Sequence, residues 1–217
     1  ATTRDKLVKQ RTALVNKIHN VLNSYGLKWK KETLTTEKGL KSIMVYEWDP
    51  IVRIELEVLA DQIRSLTKHI KRLDDDLVEH GRHLKGHENI SSIKGIGDKS
   101  ASILLSVIGN VKDFASEDKL AAYLGIVPRV KDSNETIRHG RITKHGSTLA
   151  RTTLVQCALS AKRYSPYLRA YYERIKRTRG SGKAIIATAR KLLGIIYKTL
   201  INGWVFEDFP NFVIAKT

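Results

Sequence analysis

A single cysteine, Cys157, stands among 217 residues, in the apolar context Leu154-Val155-Gln156-Cys157-Ala158-Leu159. One thiol cannot close an internal disulfide, so the fold does not depend on an oxidising compartment. Long hydrophobic runs are also missing. No stretch of 18 apolar residues occurs, which argues against a membrane-spanning helix, and the first residues, Ala1-Thr2-Thr3-Arg4-Asp5-Lys6-Leu7, lack the charged-then-apolar order of a secretory signal. These absences point to a cytoplasmic protein with no membrane partner. Acidic residues are scarce as well, 22 against 39 Lys and Arg, leaving a net charge of +17 and a pI near 10.0.

What is present is enough to fold. A hydrophobic content of 41% can bury an ordinary core in one large domain or two small ones. The positive charge is concentrated: residues 129–191 hold 16 Lys and Arg against Asp132, Glu135 and Glu173, which accounts for +13 of the +17. Such a cluster repels itself unless a polyanion shares it, so nucleic acid is the expected partner, although solvated basic helices share the composition.

Periodicity describes an all-α chain. Leu7, Leu14, Ile18, Val21 and Tyr25 recur at helical spacing, and Gly26 supplies a stop. A polar connection follows through residues 26–50, where Asp49-Pro50 combines a cap with a first-turn proline. Leu56, Leu59, Ile63, Leu66, Ile70, Leu73 and Leu77 then alternate steps of three and four, the seam of a coiled coil. This seam needs a partner, either the first helix or a second copy of the chain. The expected organisation is a coiled-coil helical hairpin over residues 1–85 and a compact helical domain over 86–217. His80, His83 and His87 lie between them; without further ligands nearby they read as a solvated face, not as a metal site.

In the second domain Ile93-Lys94-Gly95-Ile96-Gly97-Asp98-Lys99 is written like a helix-hairpin-helix element. Gly95 and Gly97 would let backbone amides approach a phosphate, assisted by Lys94 and Lys99, although a glycine turn used only for packing is the alternative. A helix capped by Ser116 runs to Tyr123. From Gly125 to Gly146 the chain reads as a polar, glycine-punctuated loop between helices, and a loop of this length is usually functional. The loop carries Arg129, Lys131, Arg138, Arg141 and Lys144 around Ser133, with His139 and His145 as possible proton carriers and Arg151 in the helix beyond; the bland reading is a solvated loop. In residues 164–179 tyrosines interleave with arginines, as on surfaces that stack and neutralise nucleic acid, yet about half of them fall on the apolar face. Gly180-Ser181-Gly182-Lys183 lacks the first half of a Walker motif and reads as a flexible turn. Residues 184–203 form a core helix, followed by the aromatic patch Trp204, Phe206, Phe209 and Phe212.

The order Gly95-Ile96-Gly97, then Leu124-Gly125-Ile126-Val127-Pro128-Arg129, then a serine five residues after the proline, then Gly140-Arg141-Ile142-Thr143-Lys144-His145-Gly146, resembles one family. It is similar to the C-terminal transposase domain of the bridge-RNA-guided, serine-type insertion-sequence recombinases, over roughly residues 90–203. The resemblance implies a DNA transposase module in which Ser133 is the nucleophile that attacks a DNA phosphate. It also implies a homo-oligomer, a structured guide RNA as partner, and a separate RuvC-like domain holding Mg on four carboxylates. No such domain precedes Ala1, so no cofactor is expected in this chain and metal-dependent cleavage by these residues alone is not expected. The family carries small residues after the serine, where this chain has Asn134-Glu135. A binding and dimerisation module without chemistry is the alternative.

Overall fold

The computed structural model describes the backbone of residues 2–133 and 136–205, and the side chains of residues 2–129 and 140–205. The chain is mostly helical, as its periodicity predicts, with one two-stranded antiparallel sheet among the described residues. It divides into two compact units, Ala1–Asp76 and Leu77–Thr217. The division falls within one long helix, nine residues before the boundary expected from the change in glycine pattern near residue 86.

In the first unit α1 (Thr2–Ser24) pairs with the part of α3 (Pro50–Arg82) that belongs to it. The partners run antiparallel: Arg4 bonds Asp74 through Nε at 2.7 Å and Nη2 at 3.2 Å, Arg11 reaches Thr67 at 3.3 Å, and Lys17 meets Glu55 at 2.7 Å. The seam therefore finds a partner within its own chain. Val15, Ile18 and Leu22 are buried with Leu56, Leu59, Ala60 and Ile63, so the inner face of α1 is rotated from the expected stripe and leaves Tyr25 49% exposed. Each fully buried aliphatic side chain contributes about 1.5–3 kcal/mol. The expected polar connection is folded too. A 3-10 turn (Thr33–Thr35) and α2 (Glu37–Ile43), capped by Thr36, bury Leu34, Leu40 and Ile43 in the same cluster. Asp49 caps α3 by accepting from the Ile51 amide at 3.0 Å.

The second unit builds its core from α4 (His87–Ser91), α5 (Asp98–Ile108), α6 (Glu117–Tyr123), α7 (Thr148–Tyr164) and α8 (Pro166–Asn202). Serines placed one residue before helices do the starting: Ser116, Ser147 and Ser165 each accept from an amide three residues on. Helix α8 is two helices separated at Gly180, where φ 78° and ψ 165° break the hydrogen-bond ladder. The break is at Gly180 alone, and residues 181–183, expected within a flexible turn, are helical.

His87 departs from the solvated face expected of the histidines. It is 5% exposed, with Nε2 3.2 Å from the Asp98 carbonyl oxygen and 3.3 Å from Ser102 Oγ. Among the described residues no three His, Cys, Asp or Glu side chains gather to hold a metal, and no helix is long and apolar enough to cross a membrane. Cys157 is buried against the same core, and burial pushes its thiol pKa up.

Candidate nucleic-acid interface

Between α6 and α7 the segment expected as a loop forms a hairpin of β1 (Pro128–Ser133) and β2 (Thr136–Ile142). Thr136, Ile137 and Ile142 favour a pleated strand, and the two runs pair antiparallel from Pro128 opposite Ile142 to Ser133 opposite Thr136. The register shifts near the base, where Arg129 alone faces Gly140 and Arg141 between the Pro128–Ile142 and Val130–His139 pairs. The base is fixed by close backbone approach. A Cβ on Gly125 would run into the His145 carbonyl oxygen and one on Gly146 into that of Tyr123, and both glycines have positive φ. Thr143 and Lys144 donate their amides to Val127 and Gly125 at 2.9 and 3.1 Å.

Arg151 is part of this scaffold, which corrects its reading as a phosphate contact. It is 9% exposed, and its guanidinium donates to the carbonyls of Leu124, His145 and Gly146 at 3.1, 2.7 and 3.2 Å and to Thr148 Oγ1 at 3.0 Å. A buried guanidinium whose terminal nitrogens face four protein oxygens has little left for a ligand.

The other residues singled out by sequence separate into three places. Lys94 and Gly97 are exposed on the turn between α4 and α5, and Lys99 is half-buried in the first turn of α5. Gly95 serves packing: a Cβ there would stand 2.6 and 2.7 Å from the backbone nitrogen and Cα of Ala161 in α7. Ile93 and Ile96 beside it are core. Second, Ser133 closes β1, five residues along the strand from Pro128, roughly 17 Å at the usual rise. In the backbone ladder Lys131 stands opposite Arg138. The side chains of Lys131, Ser133, Arg138 and His139 lie outside the described residues, as do Phe206, Phe209 and Phe212 of the terminal aromatic patch; Trp204 is 48% exposed.

The third place is a groove of about 1230 Å³ that the base of the hairpin shares with α6 and both halves of α8. It brings Arg141 and Lys144 together with Arg179, Lys183, Arg190, Lys191 and Lys198 of α8, against only Glu117 and Asp118. Those two acids are taken: Asp118 pairs with Arg190 at 2.7 Å and Glu117 with Lys198 at 3.8 Å. Arg141, Lys144, Arg179 and Lys183 are exposed and have no ion-pair partner among the described residues. Arg129, also exposed, makes a long 3.5 Å contact with the Thr143 carbonyl. Lys144 holds a left-handed backbone, φ 59°, at the groove edge, a conformation that costs a non-glycine residue energy. Sequence reasoning missed the cations of α8, because Lys183 was read as part of a turn and Arg179 as one arginine in a run.

Residues 87–173, which contain the turn between α4 and α5, the hairpin and α7, match the sequence model described as the transposase IS116/IS110/IS902 family. Residues 87–173 are therefore similar to the transposase domain of this family. The chain is also similar to a probable family 20 transposase of Pseudomonas aeruginosa, 31% identical over 164 residues, or 74% of this chain and 48% of the relative. It is similar to the transposase for insertion sequence element IS1111A of Coxiella burnetii, 29% identical over 91% of this chain and 56% of the relative. A pilin gene-inverting protein of Moraxella lacunata is 36% identical over 68% of this chain and 48% of the relative. The chain thus spans about half the length of the curated relatives it matches. The matched stretch includes Arg141 and Lys144, whereas Arg179, Lys183 and Lys191 of the groove lie past its end.

Proposed function

We propose that this chain is the serine-bearing, DNA-holding part of an insertion-sequence transposase. The observation that carries the reading is the match of residues 87–173 to the transposase family, in a stretch whose hairpin ends β1 on Ser133 and whose base lines a groove rich in unpaired cations. Two relatives are named as transposases and one for inverting a pilin gene.

In this reading the groove cations neutralise DNA phosphates, and Ser133 Oγ attacks a phosphodiester. A phosphoserine ester forms, the bond to the departing strand oxygen breaks, and the serine proton ends on that oxygen as a free strand hydroxyl. Cations close to the serine would stabilise the charge that gathers on the phosphoryl oxygens. Lys131 and Arg138 fill that role better than Arg141 or Lys144, since their backbone positions are nearer the end of the hairpin. A guide RNA, a homo-oligomer and a separate RuvC-like domain with its Mg belong to the same proposal.

The test is a binding series on duplex DNA and structured RNA across salt, with denaturing gels run for a covalent adduct beside Ser133→Ala. Salt-sensitive DNA binding with an adduct that disappears in Ser133→Ala is the expected result, with the companion RuvC-like domain added where the chain alone gives none. An adduct that persists in Ser133→Ala removes the serine from the chemistry, and salt-sensitive binding with no adduct under either condition leaves a binding module.

A further inference from the structure

We infer that the groove between the hairpin base and α8 is a seat for single-stranded DNA, with phosphates on its rim and unstacked bases on its floor. This rests on the proposed DNA-handling role and names the form of DNA that the groove takes. The rim supplies the first half of the argument: Arg141, Lys144, Arg179 and Lys183 are exposed and without ion-pair partners among the described residues, which suits a polyanion.

The floor supplies the second half. It is apolar, formed by Ile126, Ile175, Ile186 and Ile195 with the half-buried ring of Tyr171. A duplex hides its bases in the stack and offers a cylinder of phosphate and sugar, so an apolar concave floor would gain nothing from it. An unpaired strand offers both kinds of surface at once, and bases stack on aromatic rings whatever their sequence. Tyr171 is the ring placed for this. Neither Tyr167 nor Tyr172 is among the residues that line the groove, and Tyr172 is 7% exposed and covered by Lys162 at 3.7 Å. Arg174 stands over one face of the Tyr171 ring, 5.3 Å from its centroid, and adds a cation to the site. At about 1230 Å³ the groove exceeds the roughly 300–1,000 Å³ of small-ligand pockets, so it fits a short run of nucleotides better than one small molecule.

The experiment measures binding of labelled oligo(dT), oligo(rU) and a duplex of equal length, each of roughly ten nucleotides, to the full chain and to Tyr171→Ala, Tyr171→Phe and Lys183→Glu. Circular dichroism melts accompany each variant. The expected result is roughly tenfold weaker oligo(dT) binding in Tyr171→Ala, near-parent binding in Tyr171→Phe, and duplex binding unchanged by either. Lys183→Glu weakens oligo(dT) binding and flattens its salt dependence. Tyr171→Ala weakening single strand and duplex alike overturns the inference, as does tighter binding of oligo(rU) than of oligo(dT). So does a change confined to self-association in sedimentation, which would assign the groove to a second copy. Salt-sensitive duplex binding with no oligo(dT) binding sinks the inference alone; no salt-sensitive binding of any nucleic acid sinks it together with the proposed function.

Discussion

A guanidinium taken out of water has to find acceptors for its donors, and Arg151 finds four oxygens in the segment that fixes the hairpin base. The arrangement ties the Leu124 end of α6 to the His145-Gly146 turn, where two glycines let the chain segments touch. Arg151→Ala should therefore lower the stability of the second unit by roughly 2–3 kcal/mol in urea unfolding, because the buried carbonyls lose charged donors. Arg151→Lys should recover only part of this, since a single ammonium cannot span acceptors on three sides. Parent-like stability in Arg151→Ala would mean that water serves those carbonyls equally well. Sequence alone does not separate Arg151 from Arg141. Both stand in a basic, glycine-marked stretch, and only burial distinguishes the arginine that holds the scaffold from the one that lines the groove.

Among elements, α3 and α6 are legible because two local signals agree at each of them. Ser116 before α6 and Asp49-Pro50 before α3 mark starts that the apolar spacing behind them continues. The hairpin was not legible, since its glycines and charges mask a strand pattern only six to seven residues long, which gains its definition from the packing of Gly125 and Gly146 below it. The groove was half legible: Arg141 and Lys144 stood out, but their partners on α8 come from some 40 residues downstream and meet them only through the fold. The break in α8 was visible as Gly180 but misjudged as looseness. Its φ 78°, ψ 165° backbone belongs to glycine, so Gly180→Ala should cost roughly 1–3 kcal/mol or force the two halves of α8 to realign. Because Arg179 lies before the break and Lys183 after it, realignment would also weaken nucleic-acid binding. Thermal melts with parallel binding curves decide the matter, and a variant unchanged in both would show that the break does not set the groove.

For the molecule as a whole, charge is divided by task. The first unit pairs several of its cations with its own acids, as in Arg4 with Asp74, Lys17 with Glu55 and Arg64 with Glu37, and the Arg64 hydrogen bond holds the Glu37 carboxyl below its ordinary pKa. The second unit holds most of the excess positive charge and leaves part of it unpaired. Counterion release turns that difference into a measurable slope: each phosphate neutralised adds about 0.9 to the fall of log affinity with log salt on a duplex and about 0.7 on a single strand. Removing Arg141, Lys144, Arg179 or Lys183 singly should then reduce the slope by nearly one of these increments. Lys198→Ala, which removes a cation already facing Glu117 at 3.8 Å, should reduce it by much less, because the pair carries little net charge to the ligand. Salt titrations of the five variants give the comparison directly. Equal reductions across all five would mean that nucleic acid senses only the total charge of the unit, and that the groove confers no preference among its cations.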